Sequence, residues 1–266
     1  MQSTIQLRIS PADAANASVL LAAIAQNLGR SSSQINGYHI LKQSIDARSR
    51  QQVWMNLTLQ VFIDEPISDR DIEPFLFPIL PKNAKEVHII GAGPAGLFAA
   101  LECIQLGLKP IILERGKDVR TRRRDLARLN KEGIVDPESN YCYGEGGAGT
   151  YSDGKLYTRS NKRGSIEKIL RLFYQFGADE TVLYQAHPHI GTNKLPGIIE
   201  NMREAIIKAG GDIRFNAKLT DFSIKDGKIE SIQVNGNEDV TVDAVILATG
   251  HSARDIFELL SRKNVH

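Results

Sequence analysis

The sequence predicts an α/β protein, and three observations support this fold class. Residues 87–90 and 110–114 are short, mostly apolar runs that suit buried parallel strands, and a helix pattern at 97–106 lies between them. Residues 1–84 have the mixed strand and helix patterns of a small separate α+β domain. Short strand patterns between residues 213 and 242 predict a β-meander, which would belong to a second, partial α+β domain.

The expected N-terminal domain begins with Ile5, Leu7 and Ile9, whose alternation predicts a strand with one buried face. A single helix is expected over residues 11–28. Residues 53–63 carry apolar side chains at every second position and predict a long strand. Four prolines between residues 64 and 84 indicate a connector that ends the domain.

Composition is typical of a globular protein and argues against several functional classes. Hydrophobic residues make up 42% of the chain, charged residues 24%, and the net charge of +2 is too small to imply a polyanionic partner. Cys103 and Cys142 form neither a CxxC pair nor a metal-ligand cluster, so we expect reduced thiols, a cytoplasmic location and no bound metal. No membrane association is expected, because the longest apolar stretch is far too short to span a bilayer.

Residues 91–96 read Gly-Ala-Gly-Pro-Ala-Gly, the pattern G-x-G-x-x-G, between the first buried strand and its helix. In this position Gly91 permits a tight turn, Gly93 leaves room for a pyrophosphate, and Gly96 lets helix and strand pack closely. Pro94 and Ala95 open the helix, whose N-terminus presents free N–H groups and a partial positive charge to phosphates. The pattern predicts an adenine dinucleotide site.

Glu114 ends the second strand, about 20 residues after the glycines, where such sites place an acid that accepts hydrogen bonds from ribose hydroxyls. Its carboxylate would repel a 2′-phosphate, which disfavours NADP at this site. There is no second G-x-G-x-x-G, so NAD(P)H stays open as an electron donor without a recognisable motif of its own. The alternative for the whole pattern is a glycine-rich turn beside a surface glutamate.

Three features resemble the two-dinucleotide-binding-domain flavoproteins. They are residues 91–97 together with Glu114-Arg115, the segment 242–250 that ends in Ala248-Thr249-Gly250, and the meander before it, which includes Leu219. The resemblance implies a Rossmann-like domain and FAD as the cofactor, with Arg115, Leu219 and the Ala248-Thr249-Gly250 turn among its contacts.

The segment 140–156 resembles more closely the bacterial FAD-dependent proteins often labelled NAD(FAD)-utilizing dehydrogenases, whose small N-terminal domain is similar to this chain at residues 44–48. Glycine-rich loops let backbone N–H groups approach a phosphate or a flat ring. The resemblance implies a flavin-dependent oxidoreductase and places this loop against FAD. The expected contacts in it are Gly146, Gly147, Ala148, Gly149, Thr150 and Ser152. A flexible surface loop is the alternative.

From these patterns we expect three domains: residues 1–84, residues 85–160 with 240–266 as the FAD-binding domain, and residues 161–239 as part of a substrate domain. Members of the resembled family continue well beyond position 266. We therefore expect a chain truncated at its C-terminus, for which turnover is in doubt.

The flavin itself carries hydride chemistry, so the sequence shows only weak candidates for catalytic residues. His251 follows the Ala248-Thr249-Gly250 turn and could transfer a proton, whereas Lys155 could place a cation near the flavin. Both have the alternative of an ordinary packed or exposed side chain. The substrate is expected to be a small molecule of unknown identity.

The stretch 115–131 is strongly basic and admits three interpretations. It is a solvated helix face, or it places Arg123 or Arg124 on the FAD pyrophosphate, or it forms an RNA-binding surface of an FAD-linked RNA-modifying protein. The stretch has no interleaved aromatic residues, which disfavours binding to single-stranded nucleic acid.

Overall fold

The computed structural model describes residues 1–158, 164–191 and 193–265. Packing divides the chain into two compact units. The first unit consists of Met1–Pro74 and Lys155–Ile190, and the second consists of Phe75–Gly154 and Gly191–His266. The three domains expected from the sequence remain a prediction, while packing joins residues 155–190 to the N-terminal segment.

In chain order, the helices and strands are β1 (Gln2–Ile9), α1 (Pro11–Ala14), α2 (Ala17–Leu28), β2 (Ile35–Asp46), β3 (Trp54–Ile63), β4 (Glu86–Ile90), α3 (Pro94–Gln105), β5 (Lys109–Leu113), α4 (Val119–Glu132), α5 (Ile166–Gln175), α6 (Leu195–Lys208), β6 (Asp212–Arg214), β7 (Leu219–Lys225), β8 (Lys228–Val234), β9 (Glu238–Thr241), β10 (Val245–Leu247) and α7 (Arg254–Arg262). Two 3-10 helices cover Ser32–Gln34 and Glu180–Leu183.

The first unit contains an antiparallel sheet in the order β1-β3-β2, with α2 packed on one face. Leu20 and Ile24 of α2 lie against Leu57, Leu59 and Val61 of β3, and all five are buried. The alternation seen in β1 and β3 therefore separates a core face from a polar face, as expected.

The single helix expected over residues 11–28 is wrong, because the structure has two helices there. The side chain of Asn16 accepts hydrogen bonds from the N–H groups of Ser18 and Val19, which caps α2 and ends α1 before it. Strand β2 was not predicted, since its exposed and buried positions do not alternate.

The second unit is built on a parallel sheet in the order β10-β4-β5-β6. Helix α3 crosses from β4 to β5, which completes the expected βαβ unit. Strands β7, β8 and β9 form the expected antiparallel meander, and α7 packs against β7. The α/β class with a Rossmann-like parallel sheet is thus confirmed.

Membrane-spanning helices and metal clusters are both absent from the described residues. Among residues 1–158, 164–191 and 193–265, no helix has both the length and the apolar character needed to cross a bilayer. The same residues contain no group of three or more His, Cys, Asp or Glu side chains arranged to hold a metal ion.

Candidate dinucleotide site

Two glycines of the 91–96 turn are required by the fold itself. Gly91 has φ of +107°, and a Cβ there would lie 2.6 Å from the carbonyl oxygen of Ala248. A Cβ on Gly96 would overlap the carbonyl oxygen of Gly91 and lie 3.0 Å from its carbonyl carbon. The turn between β4 and α3 therefore closes only when both positions lack a side chain.

Gly93 differs from Gly91 and Gly96, because nothing in the fold requires a glycine at position 93. Its φ of −74° is open to any residue, and a Cβ would meet no atom closer than the Cα of Gly147 at 3.9 Å. Gly93 also lines the main cavity of the second unit. It is the N-cap of α3, and as a glycine it has no side chain that could accept hydrogen bonds from the first N–H groups of this helix.

The Glu114 carboxylate joins three separate turns. Its Oε2 accepts a hydrogen bond from the N–H of Ala92 at 2.7 Å, and its Oε1 accepts from the N–H groups of Gly116 at 2.8 Å and Gly144 at 3.0 Å. The residue is buried, with 5% of its surface exposed. A carboxylate has about four lone-pair positions, so these bonds leave about one for a ligand hydroxyl.

The glycine-rich loop after α4 is held in place by Arg122, whose side chain is fully buried. Its guanidinium donates to the carbonyl oxygens of Asn140 at 2.9 Å, Glu145 at 2.8 Å and Gly147 at 2.8 Å, with longer bonds to further acceptors in the same loop. Burial lowers the pKa of Arg122, and desolvation is the main cause. One cation thus replaces the regular backbone hydrogen bonding that the loop lacks.

The same loop is tied to the glycine turn and to the beginning of α4. The N–H of Gly146 donates to the carbonyl of Ala92 at 2.8 Å. The fully buried Glu145 accepts from the N–H of Val119 at 2.8 Å and from Arg203 of α6 at 2.5 Å, through Oε2 in both cases. Its Oε1 has no partner among the described residues. Desolvation raises the pKa of Glu145 to about 7, although the Val119 N–H and Arg203 oppose the shift.

Arg115 belongs to a charge network at another edge of the cavity. Its guanidinium bonds Glu138 at 2.7 Å and Asp255 at 2.5 Å, and it lies 4.3 Å from the ring centroid of Tyr143. Lys218 binds the same two carboxylates, at 2.7 and 3.5 Å. Because Arg115 and Lys218 are balanced by Glu138 and Asp255, little net positive charge remains at Arg115 to attract an additional phosphate.

These segments surround one cavity of about 330 Å³, at the lower end of the size range of ligand pockets. It lies beyond the carboxyl ends of β4, β5 and β10, where ligands bind in open parallel sheets. The structure brings most of the predicted site residues together here. Those that line the cavity are Gly91, Gly93, Pro94, Ala95, Glu114, Arg115, Gly147, Ala148, Leu219, Ala248, Thr249, Gly250 and His251.

Other predicted residues lie elsewhere. The Thr150 hydroxyl is buried and donates to the Gly147 carbonyl at 2.9 Å, and the Ser152 hydroxyl donates to the Gly149 carbonyl at 2.7 Å, so both shape the loop. Lys155 lies in the first unit, where it forms an antiparallel bridge with His189. Arg124 is exposed on α4. Roles of these residues toward a ligand remain predictions, as do those of Gly96 and Gly146, which are buried under the turns.

Sequence reasoning missed Arg122, Glu145 and the acidic partners of Arg115. Arg122 had a usable signal, because it shares the buried face of α4 with Val119 and Leu126 at spacings of three and four residues. Exposed Arg124 lies off that face. Glu145 had no comparable signal, since it lies in an irregular loop.

The basic stretch is largely neutralised within the protein. Lys117 bonds Asp125 at 2.9 Å and Asp136 at 3.0 Å, and Arg120 bonds Glu200. Together with buried Arg122, these pairs account for much of the positive charge. No contact in the described part of the chain favours the RNA-binding interpretation.

Two parts of the chain match family models, and a longer protein matches most of the chain. A family model described as "Domain of unknown function (DUF8436)" matches residues 1–62. A Clostridium beijerinckii protein described as "Uncharacterized protein" is 39% identical over 260 residues, which are 93% of this chain and 48% of that protein. The chain thus spans about half the length of this relative.

Similar solved structures include Thermovibrio ammonificans THI4, with 18% identity, a TM-score of 0.43 and coverage of 68% of this chain and 62% of that one. Another is a glycine oxidase from Bacillus cereus, with 17% identity, a TM-score of 0.35 and coverage of 68% and 58%. A family model described as "Pyridine nucleotide-disulphide oxidoreductase" matches residues 85–256, well over half of the chain. The chain therefore belongs to the pyridine nucleotide-disulphide oxidoreductase family, with a Rossmann-like FAD-binding fold.

Proposed function

We propose that this chain holds FAD in the cavity of its second unit and serves a flavin-dependent oxidoreductase of the type often labelled NAD(FAD)-utilizing dehydrogenases, with a small molecule as substrate. The observation that carries the proposal is that position 93 is a glycine. The fold does not need a glycine there, yet a side chain at this position would enter the cavity where the turn, the loop and the Ala248-Thr249-Gly250 segment meet.

The cavity fits the pyrophosphate of a dinucleotide at the N-terminus of α3. Gly93, Ala95 and Gly147 line this end, and the uncapped first turn of α3 offers N–H donors and a partial positive charge. Gly147 has φ of +73°, and a Cβ there would lie 3.0 Å from Cδ of Pro94. The loop can thus approach α3 this closely only with a glycine at position 147, and this close approach keeps this end of the cavity narrow.

The residues at the Glu114 end fit an adenosine without a 2′-phosphate. Glu114 retains about one free acceptor position for a ribose hydroxyl, and its carboxylate would repel a phosphate. Arg115 is already bound to Glu138 and Asp255. FAD meets both conditions, whereas NADP requires a cation that is not already paired.

FAD supplies hydride and electron transfer when it is bound, and the protein supplies position and exclusion of water. Thr249 and His251 line the cavity after β10. His251 is exposed, so its imidazole can exchange a proton with solvent as well as with a molecule in the cavity. We assign it the role of proton donor or acceptor to the reacting molecule.

The test of the oxidoreductase proposal is anaerobic reduction of the FAD-loaded chain. We expect the visible flavin absorbance to bleach with dithionite, and a comparison of NADH with NADPH then identifies the electron donor. The role of His251 is tested in parallel through His251→Asn, which should keep FAD binding and change the pH profile of reduction. A loaded chain whose flavin resists dithionite would contradict the proposal.

A further inference from the structure

A buried carboxyl group lies next to the wall of the dinucleotide cavity, and the function proposed above gives it no role. Glu145 belongs to the glycine-rich loop, between Gly144 and Gly147, which both line the cavity. Its own side chain is not part of that lining and bonds instead to the beginning of α4 and to α6. Because Glu145 is completely buried, a charge on it acts on the cavity through protein rather than through water.

The two oxygens of this carboxyl group are in unequal environments. Both of its hydrogen bonds, from the N–H of Val119 and from Arg203, are made to Oε2. Oε1 has no partner among the described residues. A buried carboxylate oxygen that receives no hydrogen bond makes the ionised form costly, so the geometry itself favours a bound proton.

Charged and titratable groups face Glu145 from each element packed against it. They are Asp118 and Arg122 of α4, Glu200 and Arg203 of α6, and Tyr151 of its own loop. Desolvation raises the pKa of Glu145 to about 7, and Asp118 and Glu200 add to the rise while Arg203 opposes it. At neutral pH the protonated and ionised forms of Glu145 are therefore both populated, and a small change in the surrounding charge shifts their ratio.

We propose that Glu145 couples FAD binding to the uptake of a proton, so that the chain holds FAD more tightly below neutral pH than above it. The coupling rests on the function proposed above, because it requires the FAD pyrophosphate at the end of the cavity lined by Gly93 and Gly147. Gly147 follows Glu145 by two residues, which span at most about 7 Å. A bound pyrophosphate therefore brings negative charge to within roughly 12 Å of the carboxyl group. One unit charge at about this distance in protein changes a proton affinity about tenfold.

The sign of the coupling follows from this repulsion. Negative charge in the cavity favours the neutral, protonated form of Glu145, and by linkage the protonated form favours FAD to the same extent. The proton comes from the buffer and is held by the Glu145 carboxyl group. The Kd of FAD should thus rise by about five- to tenfold between pH 6 and pH 8.5.

Glu145→Gln tests the coupling, because an amide has nearly the shape of the protonated carboxyl group and cannot ionise. In FAD titrations followed by flavin fluorescence, the rise in Kd between pH 6 and pH 8.5 should be about five- to tenfold smaller for this variant. At pH 8.5 it should bind FAD more tightly than the unaltered chain, a gain that misfolding cannot produce. Any contribution of His251, which lines the cavity, is present in both proteins and cancels in the comparison.

Proton uptake is measured independently of affinity by calorimetry at pH 7 in two buffers of different ionisation enthalpy. The unaltered chain should take up roughly 0.4 proton more per FAD than Glu145→Gln. Glu204→Gln is the matched control, because it removes an exposed carboxylate of α6 outside the loop and the cavity. It should keep the pH dependence of the unaltered chain.

The possible failures are distinguishable. If Glu145→Gln binds FAD with the same pH dependence and the same proton uptake as the unaltered chain, the coupling is overturned while FAD binding stands. A Glu204→Gln variant that loses the pH dependence to the same extent would also overturn it, since any carboxylate of α6 would then suffice. A folded chain that binds no FAD at either pH overturns the proposed function and the coupling together.

Discussion

Gly93→Ala and Gly96→Ala are expected to have opposite consequences, although the two substitutions are chemically identical. In Gly93→Ala the new methyl has no contact closer than 3.9 Å and φ is −74°, so the fold accepts it. Alanine restricts the unfolded chain, which stabilises this variant by about 0.4–1 kcal/mol. Alanine is also a poorer N-cap than glycine at the start of α3, by a similar amount, so the net stability should stay close to that of the unaltered chain. The methyl nevertheless occupies space at the end of the cavity that we assign to the pyrophosphate.

The loss of FAD affinity can be estimated from the cost of overpacking, which is about 1–3 kcal/mol for an added methyl group. At about 1.4 kcal/mol per factor of ten, Gly93→Ala should raise the Kd of FAD roughly 5- to 150-fold. In Gly96→Ala the methyl overlaps the Gly91 carbonyl in the protein itself. That variant should lose about 1–3 kcal/mol or more of unfolding free energy before any ligand is added.

Urea unfolding of the FAD-free proteins measures stability, and flavin absorbance during titration measures affinity. Gly197→Ala is the control, because this glycine of α6 has no atom within 4 Å of the added Cβ. The reasoning is refuted if Gly93→Ala binds FAD as tightly as the control. It is equally refuted if Gly93→Ala is destabilised as much as Gly96→Ala.

Three further substitutions test the loop and its supports. Glu114→Gln should lower the free energy of unfolding by about 1–3 kcal/mol for each N–H left without an acceptor, as measured by urea unfolding. An unchanged urea midpoint would contradict the role of the Glu114 carboxylate in joining three turns. Arg122→Met should lower the free energy of unfolding by about 3 kcal/mol or more, because buried carbonyls lose a charged donor. Limited proteolysis of this variant should then cut within residues 140–154. Resistance equal to that of the unaltered chain would show that the loop does not depend on Arg122. Glu145 binds its proton more tightly in the folded than in the unfolded protein, so its contribution to stability is complete below pH 4.5 and is lost as pH rises to about 7. The loss should be on the order of 3 kcal/mol, and unfolding curves of Glu145→Gln across this range should lack it; parallel curves for both proteins would refute the shift.

The sequence carried enough information for the βαβ unit, because its signals are local. Strand residues 87–90, the glycine turn and Glu114 are contiguous or at fixed spacing, and the structure places them as expected. The two-helix start of the first unit was missed, since Asn16 interrupts an otherwise continuous apolar pattern. Strand β2 was missed for the opposite reason, because a two-sided environment leaves no alternation to detect.

The supports of the site depend on contacts between distant segments, which no local pattern encodes. The ion pair between Arg115 and Asp255 joins residues that are 140 positions apart in the chain, and the pair between Glu145 and Arg203 joins residues that are 58 positions apart. Residues of a glycine-rich loop also cannot be sorted by type into those that face a ligand and those that hold the loop. The structure does sort them, since Thr150 and Ser152 bond within the loop while Gly147 and Ala148 line the cavity.

The claim that the cavity of the second unit holds FAD is tested most directly by titrating the FAD-free chain with FAD. We expect saturable binding of one FAD per chain, with a shift of the flavin absorbance bands and quenching of flavin fluorescence. NADP⁺ should fail to compete, because the paired Arg115 and the Glu114 carboxylate disfavour a 2′-phosphate. A folded chain that leaves the FAD spectrum unchanged, or that releases FAD to NADP⁺, would contradict this account.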